Sequence, residues 1–69
     1  MPHIVFDTEL DFAYAKSEIR DHIKEYTMGK EAKEKGFDVK MWQVLVEVDD
    51  EAIPILEEKD IGNWAPLKE

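Results

Sequence analysis

The 69 residues contain no cysteine, which excludes disulfides and thiolate metal sites. Histidine is almost as scarce, and His3 and His22 by themselves do not make the donor set of a structural zinc site. Ser17 is the sole serine, so the usual nucleophiles are nearly gone as well. With three glycines there is no Gly-rich phosphate loop, and neither G-x-S-x-G nor H-E-x-x-H nor a repeated E-x-x-H occurs. The expectation is a protein that is not an enzyme and carries no cofactor and no bound metal.

Basic charge is in deficit too. Seventeen acids against nine bases give a net charge of −8, which argues against direct binding to nucleic acid or to an anionic membrane. No apolar run approaches the roughly 20 residues that cross a bilayer. The opening M-P-H-I-V-F-D-T-E has no basic region before a long apolar stretch, so the expected compartment is the cytoplasm.

The chain, 1–69, reads as a single domain. At this length only about 60% of the unfolded surface is buried, and small domains are commonly stapled by disulfides, a metal or a partner subunit. Disulfides are excluded here, and two histidines are too few donors for a structural zinc site. What remains is self-association or good packing, and 43% hydrophobic residues supports the second.

Residues 37–48, F-D-V-K-M-W-Q-V-L-V-E-V, read as one long strand, rich in β-branched and aromatic types with no Gly or Pro. Period two puts Trp42, Val44, Val46 and Val48 on an apolar face and Val39, Met41, Gln43, Leu45 and Glu47 on a mixed one. Residues 3–6 read as a short first strand at an edge. A helix then starts at Thr8, which stands with Asp11 in the T-x-x-D relation of a capping box, Asp7 competing as cap. Phe12, Ala15, Ile19, Ile23 and Tyr26 continue at helical steps, which predicts a long helix closed by Gly29. Residues 30–35 predict a second short helix, or a continuation of the first bent at Gly29, with a Glu31/Lys35 pair, ended by Gly36. Asp49, Asp50 and Glu51 form a turn. Residues 52–56 lean to a helix, Pro54 falling in its first turn and Gly62 lying just beyond its end, with a returning strand as the alternative. The tail, 61–69, is irregular or at an edge because of Pro66.

The resulting architecture is α+β: a long N-terminal amphipathic helix packed on a two- or three-stranded sheet, with Trp42, Val44 and Val46 meeting Phe12, Ile19 and Ile23. Parallel pairing of 3–6 with the long strand would make the helix a right-handed crossover.

Each candidate for chemistry has a plainer reading. Glu18, His22 and Tyr26 share a helix face in the manner of a general base and its orienting partners, yet any charged helix yields such pairs. Lys16, Arg20 and Lys24 form a stripe that suits phosphate, and also suits the helix macrodipole. The acids at 49–51 resemble hard-cation ligands but lack the spacing and Gly of a calcium loop.

The distribution of charge is more informative. Residues 1–15 carry −3, residues 16–35 carry +1 (five acids, six bases) and residues 36–69 carry −6 (nine acids, three bases). Asp49, Asp50, Glu51, Glu57, Glu58 and Asp60 crowd one stretch and Trp64 follows. Charge steers an encounter and an aromatic holds it, so these seven residues are the candidate contacts to a basic surface of a partner protein. The plainer reading is a solvated acidic rim with Trp64 packed on the sheet. The leading expectation is therefore an acidic interaction module, an adaptor or inhibitor. A homo-oligomeric structural protein using the Met41 and Leu45 face or a strand edge is one alternative, and a domain binding a small molecule or divalent metal is the other.

Overall fold

The computed structural model describes residues 2–67, so Met1 and positions 68 and 69 of the tail lie outside the described residues. Strand β1 (His3–Phe6) leads into helix α1 (Glu9–Ile19), one 3-10 turn (Arg20–His22), strand β2 (Ile23–Met28), helix α2 (Gly29–Glu34), strand β3 (Val44–Val48), helix α3 (Ala52–Lys59) and strand β4 (Trp64–Pro66). The sheet order is β2-β3-β1-β4, every neighbouring pair antiparallel. β1 and β2 therefore run parallel with β3 between them, and β3 and β4 run parallel with β1 between them. Two interleaved split β-α-β units result, the ferredoxin-like connectivity, with α2 added between β2 and β3.

The α+β class stands, with four strands where two or three were expected. Helices α1 and α3 cover one face. Ile4, Phe6, Val44, Val46 and Val48 of the sheet pack there against Phe12, Ala15 and Ile19 of α1 and Ala52 and Leu56 of α3. Alternation along β3 sends Leu45 to the opposite face, where it joins Val5, Ala32 and Val39 under α2. Leu45 is buried within the chain, so a Met41 and Leu45 interface face is not available.

Local signals set several boundaries. Thr8 caps α1, its hydroxyl accepting from the Asp11 amide at 3.1 Å and donating to the Asp11 carboxylate at 2.7 Å. Helix α2 ends in a Schellman motif: the Gly36 amide donates to Lys33, the Phe37 amide to Ala32, and Gly36 takes φ +99. The Lys35 ammonium lies 3.5 Å from Glu31 across one helical turn. Residues 52–56 are helical, as the first α3 turns.

Four expectations are corrected. The first helix stops at Ile19 and does not reach Gly29. Ile23–Met28 is a strand, and a register shift between Ile23 and Glu25 lets Ile23 and Tyr26 both face the α1 side, so a bulged strand reproduces helical spacing. Gly29 opens α2 and closes no helix. Its amide donates to the Gln43 carbonyl at 2.6 Å, and a Cβ there would lie 2.5 Å from that oxygen, so it is required for a close backbone approach.

The long strand shrinks to Val44–Val48. Residues 37–43 instead turn back beneath the sheet, burying Val39, and close with the Lys40 amide on Gln43 Oε1 at 2.8 Å. Trp42 thereby lies outside the ladder and is 59% exposed, not in the core. Finally, β1 is interior, between β3 and β4, and antiparallel to β3, so no parallel β1–β3 crossover exists. Its short length is compensated by burial of Ile4, Val5 and Phe6.

Candidate functional site

The acidic stretch occupies α3 and the turn before it. Ala52 and Leu56 point inward, which leaves Asp50, Glu51, Glu57 and Glu58 exposed. Asp50 and Glu57, like Glu51 and Glu58, are seven residues apart, two helical turns, so the four line one outward side around exposed Pro54. Asp60, exposed, ends the helix in the left-handed conformation at φ 51. Among the described residues none of these five carboxylates is paired with a lysine or arginine.

Asp49 is set apart from them. Its Oδ2 accepts from His22 Nδ1 at 3.0 Å, its Oδ1 accepts from the Glu51 amide at 3.0 Å, and its own amide donates to the His22 carbonyl at 3.0 Å. Glu51 Oε2 stands 3.9 Å from the same imidazole nitrogen. The hydrogen bond to Asp49 raises the His22 pKa above its ordinary 6.5, against partial desolvation and with help from the charges of Asp49, Glu51 and Asp21. The same bond lowers Asp49 below 3.8. This carboxylate fastens the end of β3 to the turn before β2 and is the least available of the six acids.

Trp64 sits on β4 opposite Phe6, half-buried and packed against the main core. It follows the C-terminal end of α3, about 12 Å along the helix axis from the turn at Asp49. Asp60 and Trp64 thus belong to one end of the acidic surface, and Asp49, Asp50 and Glu51 to the other.

The remaining candidates are dispersed by the fold. With α1 ended at Ile19, Glu18, His22 and Tyr26 share no helix face, and Tyr26 packs against Phe12 with ring centroids 5.1 Å apart and the rings tilted at 49°. The basic stripe is broken likewise: Lys16 lies over the Phe12 and Tyr26 rings at 5.6 and 5.2 Å, while Lys24 is on β2. Among the described residues no group of three or more His, Asp and Glu is arranged to hold a metal ion. No helix among them is long and apolar enough to cross a membrane.

Sequence reading missed two features. Met41 and Trp42 are exposed residues before β3, and the signal for this is Asp38 and Lys40, of the same parity as Trp42, which break the apolar face. The cross-strand row Glu25, Glu47 and His3 was also unseen, since it needs the register of three strands. It forms one side of an open cleft of about 230 Å³ on the α2 side of the sheet, with Phe37 and Leu45. Comparison with protein-family models, with curated proteins and with solved structures gives no match to this chain.

Proposed function

We propose that the protein is a non-catalytic binding module whose acidic α3 surface engages a basic surface of another protein. The observation that carries this reading is the set of five exposed carboxylates, Asp50 and Glu51 in the turn before α3, Glu57 and Glu58 on it and Asp60 at its C-cap, without a lysine or arginine paired to them among the described residues. Such a surface accelerates encounter with a basic partner and rejects acidic ones. Half-buried Trp64 adds an apolar contact at the Asp60 end. Asp49 supports the site indirectly, by fixing through His22 the turn from which α3 starts.

The test is capture from a native lysate on the tagged protein, with parallel washes at about 50 and 500 mM salt, between which the screening length falls several-fold. A protein with a basic surface retained at the lower salt and released at the higher is the expected result. Capture that is indifferent to salt, or no capture at either, contradicts the reading.

A further inference from the structure

The two edges of the sheet are unequal. β4 is three residues long and ends in Pro66, which has no amide to offer, so that edge is blunted. β2 has six residues and no proline, and among the described residues no strand pairs with its outer side. Lys24 and the register shift between Ile23 and Glu25 guard one end of β2. Residues 25–28 remain, carrying Tyr26, 48% exposed, and Met28, 36% exposed, on the α1 side.

We propose that a second copy of this chain occupies the β2 edge, joining two sheets across a two-fold axis at Tyr26. Antiparallel pairing of β2 with itself is isologous by construction. Centring on Tyr26 sets Tyr26 against its copy, Glu25 against the second copy's Thr27 and Lys24 against the second copy's Met28, so no like charges oppose. Shifting the axis to Glu25 would put two carboxylates face to face. Charge selects this edge for a chain of net −8, because residues 16–35, which supply the end of α1, β2 and α2, carry +1 while the rest carries −9. The β2 edge is where two such molecules approach with least repulsion, and the acidic α3 leads away from it to β4 at the other edge.

The salt response separates this dimer from the α3 complex. Screening relieves repulsion between two anionic chains, so dimerisation strengthens with salt while binding of a basic partner weakens. Sedimentation at about 500 mM salt is expected to show twice the 8.1 kDa chain mass at high concentration, falling to one chain on dilution. Met28→Lys, which sets a lysine against the second copy's Lys24, should weaken the dimer by roughly tenfold or more while the thermal midpoint of the dilute protein changes little. Because the chain has no cysteine, Tyr26→Cys introduces a sole thiol, and facing Cα atoms about 4.5–5.5 Å apart lie within disulfide reach. Tyr26→Cys should oxidise to a linked dimer, and Tyr14→Cys, at a still more exposed helix position, should not. A chain that stays at 8.1 kDa throughout, or equal linking of the two thiol variants, overturns the proposal.

Discussion

His22 donates from Nδ1 to Asp49 Oδ2 at 3.0 Å, joining positions 27 apart in sequence, and the two backbones are bonded at the same place. The pair ties the turn between α1 and β2 to the turn from which α3 starts. Its strength follows protonation. His22 is held above its ordinary 6.5, so its contribution is complete below pH 6.5 and fades as pH rises through the raised value. Asp49 is held below 3.8, so its contribution is complete above pH 3.8 and fades as pH falls through the lowered value. The expected outcome is a stability advantage of the wild type over His22→Ala that is largest between these limits and shrinks as pH rises through the raised His22 value and as it falls toward strong acid. Urea midpoints of both proteins across pH measure it, and an advantage independent of pH contradicts the assignment.

Gly29 tests the α2 insertion. A Cβ at this position meets the Gln43 carbonyl at 2.5 Å, backbone against backbone, with no flexible side chain to yield. Gly29→Ala should therefore cost about 1–3 kcal/mol as overpacking, despite the better helix propensity of alanine. Denaturant unfolding measures it, and a stabilised variant would show that residues 40–43 do not lie against α2.

The two tryptophans should behave oppositely. Trp42 is 59% exposed, and Trp42→Ala is expected within about 0.5 kcal/mol of wild type. Trp64 is half-buried against the main core, and Trp64→Ala should cost about 2 kcal/mol, less than the loss of a fully buried aromatic. Fluorescence gives a second readout: with Trp64 replaced by Phe, the remaining Trp42 emission should be that of a solvated indole. A blue-shifted Trp42 would return it to the core.

These outcomes follow the division between what was legible in the sequence and what was not. The Thr8 cap, the Gly36 stop and the Glu31/Lys35 pair were legible because each is fixed by residues within one or two turns of chain, whereas residues 52–56 leaned to helix and left a returning strand open. β2 was not. Its register shift places Ile23 and Tyr26 on one face at a spacing that a helix would also satisfy, and only pairing with β3 decides between the two. Trp42 was misplaced because apolar alternation was extended past Gln43, where the Gly29 to Gln43 hydrogen bond ends the ladder. Of the acidic site, the crowding of charge was plain from composition by segment. The withdrawal of Asp49 to His22 was not, because that contact spans the fold.

The central claim is that exposed carboxylates on α3 bind a basic protein surface. It is tested most directly by titrating the captured partner against the wild type and against Glu57→Gln/Glu58→Gln/Asp60→Asn over a range of salt. Wild-type affinity should fall steeply as salt rises. The variant should bind at least about tenfold more weakly at low salt, a loss of roughly 1.4 kcal/mol or more, with a flatter salt dependence. Equal affinity and equal slope for the two proteins would contradict the claim and place the binding surface elsewhere.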